Sequence, residues 1–77
     1  MSETVNERIH HLRRSACLKQ SELGRLIGVS GNVVSQWESE RNSPRSVDVP
    51  KLSAVLGVSC DYLLTGREWS PAALEVA

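Results

Sequence analysis

Val5, Ile9, Leu12 and Ala16 step along the chain by four, three and four positions, the spacing of one buried helix face. Thr4, with Glu7 three residues later, has the composition of a capping box, so a first helix is expected over roughly residues 4 to 15. Leu23 and Ile27 are then four apart and Val34 and Trp37 three apart, which predicts two short helices at about 20 to 27 and 31 to 38. Gly28-Val29-Ser30 lies between them. Gly28 falls just past the last apolar position, where a residue without Cβ adopts the left-handed conformation that ends a helix, and Ser30 supplies a cap oxygen for the next one. Val29 is expected to close the core between the two helices, and Gly24 to let them approach closely. The polar, turn-rich run from Ser39 to Ser46 predicts a surface loop. Val49, Leu52, Val55 and Leu56 mark a fourth helix, with Pro50 in its first turn and Asp48 or a residue just before it as the cap. Ser59 is expected to cap a short fifth helix that runs through Leu64 and stops at Gly66. Ser70-Pro71 would start a last turn, with Trp69 packed on Leu74 as a staple.

Residues 20 to 38 read as a helix-turn-helix whose second helix suits the major groove of DNA, because small and amide side chains occupy its non-core face. With Val34 and Trp37 turned to the core, Gly31, Asn32, Ser35 and Gln36 fall on the outer side. Asn and Gln amides can each make a two-pronged contact with adenine N7 and N6, and Val33 suits a thymine methyl. Asn32, Val33, Ser35 and Gln36 are therefore candidate base readers. Gln20 stands at the N-terminus of its helix, where a side-chain amide and backbone N–H groups can hold a phosphate with help from the helix dipole.

Composition narrows the picture. The 77 residues make one small all-α domain the expectation, and with three aromatic residues and no Phe its core must be mostly Leu, Val, Ile and Ala. Apolar runs are too short to cross a bilayer and no basic region precedes an apolar segment at the N-terminus, so a cytoplasmic location is expected. Cys17 and Cys60 are far apart and lack metal-ligand spacing, which makes two small buried thiols the expectation. Adjacent His10 and His11 point to different helix faces and are expected to be solvated rather than a metal pair. No metal, cofactor or small-molecule ligand is expected, nor is enzymatic activity, since no nucleophile, base and orienting group recur at interpretable spacing. The formal net charge is zero, yet between Arg13 and Lys51 seven basic residues face four acidic ones. Such a distribution suits a DNA binder with weak non-specific attraction, whose specific contacts must then count.

From about Ile9 to Gly66 the chain resembles the DNA-binding domains of lambdoid phage repressors and Cro proteins, the XRE-type helix-turn-helix family. The resemblance is carried by Gln20, Leu23, Gly28-Val29-Ser30, Val34, Gln36-Trp37-Glu38, and the later runs Leu56-Gly57-Val58-Ser59 and Asp61-Tyr62-Leu63-Leu64. It implies a compact five-helix domain that binds palindromic operator DNA, usually as a two-fold homodimer; the domain is expected over residues 1–66, with 67–77 a C-terminal tail or short helix that serves as a dimer contact or a linker. It also implies a phosphate contact for Gln20, a backbone or minor-groove contact for Arg45, and a pairing of Arg13 with Glu38 that bridges the first helix to the end of the reading helix. Lys19, Ser30, Arg41 and Asn42 complete the candidate phosphate-binding set. Two departures stand out. Lys19 replaces the usual capping Ser or Thr and is better suited to a phosphate. Gly31 occupies the first position of the reading face, so one specific contact is expected to be missing.

These readings point to a phage or prophage repressor, either a short Cro-like protein or the N-terminal part of a larger repressor. Two alternatives stay open: an antitoxin or restriction-modification controller of the same fold, and a protein-interaction module that has lost DNA, for which zero net charge and Gly31 speak.

Overall fold

Thr4 starts the first helix by accepting a hydrogen bond from the Glu7 amide on its hydroxyl, while Glu7 Oε1 accepts from the Thr4 amide at 3.1 Å. This capping box opens α1 (Val5–Ser15) in a computed structural model that describes residues 3–67. Four further helices follow among the described residues, α2 (Gln20–Ile27), α3 (Gly31–Glu38), α4 (Asp48–Leu56) and α5 (Cys60–Thr65), with no strand. The fold is all-α, as the periodicity predicts. The tail from Ser70 to Leu74 lies outside the described residues.

Local chemistry fixes the motif. Gly28 closes α2 at φ +85°, in the left-handed region, and Ser30 Oγ caps α3 by accepting from the Val33 amide at 3.3 Å. Lys19 holds the N-cap position of α2 without a side-chain cap bond; the Glu22 carboxylate instead accepts from its amide at 2.8 Å. A Cβ on Gly24 would lie 2.6 Å from the carbonyl oxygen of Val29, so only glycine lets the turn cross α2 this closely.

Ile9, Leu23, Ile27, Val34, Trp37, Val49, Leu52 and Leu63 form one buried cluster, drawn from all five helices. Each such side chain contributes about 1.5–3 kcal/mol by leaving water. α3 packs on α1 and α2, while α4 packs on α2, α5 on α1, and α4 and α5 on each other. α3 is thus seated by its inner face on α1 and α2, with its outer face left uncovered.

Several expectations are corrected. Ala16 is exposed because it already lies at the C-cap of α1, and Leu12, Val55 and Leu56 are only half-buried at the edge of the core. The cap of α4 is, as expected, the residue just before Asp48: Val47 holds the N-cap position without a side-chain bond, while Asp48 is the first helical residue and its carboxylate turns back to accept from the Arg45 amide at 3.2 Å. The thiols are not both buried. Cys17 is exposed at a turn with φ +59°, and Cys60 is half-buried, 3.3 Å from Ser53 Oγ.

Candidate nucleic-acid interface

Glu38, the last residue of α3, is the junction of the site. Its side chain is only 6% exposed, and its Oε2 lies 2.6 Å from Arg13 Nε while Oε1 accepts from Arg13 Nη2 at 3.0 Å. His10 Nδ1 lies 2.8 Å from Oε1, and Gln20 Nε2 donates to the same oxygen at 3.1 Å. Burial pushes the Glu38 carboxyl up, but the hydrogen bonds from Arg13, His10 and Gln20 outweigh it and hold its pKa below the ordinary glutamate value. One carboxylate therefore ties the end of α3 to α1 and to the start of α2. His10 is accordingly not a merely solvated histidine; the exposed His11 pairs with Glu3.

Gln20 has its amide nitrogen on Glu38, which leaves that nitrogen a second proton. Lys19 and Ser30 stand exposed at the caps of α2 and α3, and Arg41 is exposed in the loop. The Arg45 side chain is 73% exposed, with Nε 3.4 Å from the buried carboxylate of Asp48. Along α3, Asn32 is exposed, and Gly31, Val33, Ser35 and Gln36 are half-buried. Val33, Gln36, Asn42 and Arg45 share an open depression of about 320 Å³ that also reaches Val29 and Asp48. The structure thus brings Gln36, Val33, Asn42 and Arg45 together, with Gln20 standing apart at Glu38.

Three contributors escape a reading by periodicity. Asn6 is buried and its Nδ2 donates to the carbonyls of Trp37 at 2.6 Å and Asn42 at 2.9 Å, clamping the end of α3 and the loop beyond it. Arg8 is buried too; Nη1 donates to the Leu63 carbonyl at 2.6 Å, Nη2 to that of Glu3 at 2.6 Å, and Nε faces Glu3 Oε1 at 3.4 Å. Gly31 is more than a missing contact. A Cβ there would meet the Ser21 Cα at 3.1 Å, so its smallness seats the start of α3 against α2. The available signal for Asn6 was the set of orphan carbonyls at a helix C-terminus, which need donors from somewhere.

The helix-turn-helix family matches residues 9–63, which includes both motif helices and most of their support. The chain belongs to the helix-turn-helix family, in its XRE-type branch. This helix-turn-helix protein is 37% identical over 65 residues to Repressor protein C2 of Salmonella phage P22, covering 84% of this chain and 30% of that protein. It is 33% identical over 63 residues to the HTH-type transcriptional activator BcrR of Enterococcus faecalis, covering 82% of this chain and 31% of that one. The chain thus spans about a third of the length of these curated relatives. Among solved structures it resembles the P22 c2 repressor in complex with synthetic operator 9T, with a TM-score of 0.81 and 36% identity over 86% of this chain and 100% of that chain. Among the described residues no helix is long and apolar enough to cross a membrane.

Proposed function

We propose that this helix-turn-helix protein is a sequence-specific transcriptional regulator that binds palindromic operator DNA as a homodimer and acts as a phage-type repressor. What carries the reading is the outer face of α3, where Asn32, Ser35 and Gln36 stand on a support matching a repressor that has been seen on an operator. In this reading Gln36, Asn32, Ser35 and Val33 read base edges, with Gly31 leaving room at the start of the face. Lys19, Gln20, Ser30, Arg41, Asn42 and Arg45 hold the backbone, which sets register without identifying bases. Two copies place their reading helices about one helical turn, roughly 34 Å, apart, because one eight-residue helix reads too few bases alone.

A site selected from random duplex DNA, followed by titration against that site and a scrambled duplex, tests the proposal. Gln36→Ala should cost about 1 to 3 kcal/mol on the selected site and flatten discrimination at one symmetric base pair of each half-site. Arg45→Ala should weaken binding to every duplex and make the salt slope shallower by about one unit. Equal affinity of the unaltered chain for selected and scrambled duplexes refutes sequence reading. A selected site without two-fold symmetry, saturated by one subunit, refutes the dimer. The likeness to BcrR supports a second reading, activation from the same DNA contacts. Transcription in vitro from a promoter carrying the selected site separates the two by the sign of the change.

A further inference from the structure

We propose that Asn42 determines which half of the Gln36 amide is offered to DNA, and therefore which base Gln36 favours; the inference rests on the proposed role of α3 as the reading helix. An untethered glutamine has a broad terminal torsion and can present either its carbonyl oxygen or its NH₂, which is why it suits adenine, whose N6 donates and N7 accepts. Here the choice is biased. Asn42 Nδ2 donates to Gln36 Oε1 at 2.8 Å, while among the described residues Gln36 Nε2 donates to nothing. One lone pair of the acceptor is committed inside the protein, and both protons of the donor are left over. A side chain so held matches an edge made of acceptors, and guanine offers two of them, N7 and O6.

Asn42 reaches this place through backbone bonds that do not involve its side chain. Glu40 turns the chain at φ +63°, and the Arg41 amide donates to the Gln36 carbonyl at 2.9 Å with the Asn42 amide at 3.3 Å from the same oxygen. Buried Asn6 then holds the Asn42 carbonyl at 2.9 Å and the Trp37 carbonyl at 2.6 Å. A helix 1 side chain thus fixes the loop, and the loop fixes the reading amide. The Asn42 side chain itself is exposed, so its truncation leaves the scaffold in place. Both amides border the open depression shared with Val33 and Arg45.

The test uses the duplex selected by the unaltered chain and its three variants at the base pair where Gln36→Ala flattens discrimination, each affinity divided by that for non-specific DNA. The unaltered chain should favour guanine over adenine there by about two- to tenfold, the range of one oriented hydrogen bond. Asn42→Ala should abolish or invert that ratio with an unchanged melting temperature, and should do nothing further at this base pair in the Gln36→Ala background. Asn42→Asp provides a second variant of the same size. Its carboxylate can only accept, so it takes the Gln36 NH₂ and turns Oε1 outward, moving preference toward the N6 donor of adenine or the N4 donor of cytosine. If Asn42→Ala and Asn42→Asp both keep the original ratio, the inference is overturned while Gln36 remains a base reader. The inference also fails if Asn42→Ala shifts the ratio equally without Gln36, since Asn42 would then read the base itself. Should Gln36→Ala flatten no base pair at all, the reading of α3 falls first and this inference with it.

Discussion

Replacing Glu38 with leucine is expected to destabilise the fold by about 3 kcal/mol, and the partner change Arg13→Met by about as much. The magnitude follows from what each leaves behind. Removing one member of a buried ion pair typically costs about 3–5 kcal/mol because the other charge stays unpaired. Here the Arg13 side chain is 13% exposed and still donates to the Leu18 carbonyl at 2.7 Å, which moves the cost toward the low end. His10 and Gln20 are half-buried and can turn to water, so their lost bonds add little. The Arg13→Met/Glu38→Leu double variant should cost far less than the sum, because it removes both desolvated charges and places apolar atoms against the core. Urea unfolding of the four proteins at neutral pH, followed by far-UV circular dichroism, measures the coupling. A value near 2–3 kcal/mol is expected, for a domain whose total stability is about 4–12 kcal/mol. Simple additivity, with a coupling below about 0.5 kcal/mol, would show that the pair behaves as a solvated surface contact and does not hold α3 in place.

Gly24→Ala should lower stability by about 2 kcal/mol or more, although alanine is the better helix former by about 1 kcal/mol, because the new Cβ would meet the backbone oxygen of Val29. In a thermal melt this is a fall of about 10 °C, and an unchanged midpoint would mean that α2 and α3 separate freely. Acid sensitivity follows from Glu38: its pKa is lowered in the fold, so its contribution is present above the unfolded value of about 4.3 and is lost as pH falls through the lower folded value. Urea midpoints of the unaltered chain should therefore drop below about pH 4.3, and Glu38→Gln should flatten part of that drop. The remainder should persist, since Glu7 is also held low by its backbone and side-chain bonds to Thr4.

Much of the fold was legible because its boundaries are set by local chemistry. The box at Thr4 and Glu7, the left-handed Gly28 and the Ser30 cap all act within a few residues, and α2 and α3 begin and end where those residues place them. The start of α4 was less legible, since no side chain caps it and Asp48 faces back toward Arg45. Periodicity treats polar residues as outward-facing, so it could not reveal that Asn6 and Arg8 are buried. Apart from the Glu3 carbonyl, which Arg8 meets five positions away, their acceptors lie 31, 36 and 55 positions away and come within reach only once the chain has folded. The same limit applies to the candidate site. Spacing places Gln36 on the outer face of α3, but only the folded loop shows that Asn42 engages its amide.

The tethering of that loop bears on how a chain with zero net charge would serve in the proposed DNA binding. Electrostatic attraction to phosphates supplies most of non-specific affinity, and this chain has little of it to spend on ordering itself when it binds. Mobile reading side chains would add about 0.5–1.5 kcal/mol each in ordering cost. In this fold much of that ordering is already done. Glu38 couples the end of α3 to Gln20 at the start of α2, so the proposed phosphate contact and the proposed reading helix are parts of one hydrogen-bonded unit. Asn6 fixes the far side of the same helix end through the Trp37 and Asn42 carbonyls. In the proposed complex, a phosphate on Gln20 would therefore meet a reading helix whose position relative to it has been set by folding.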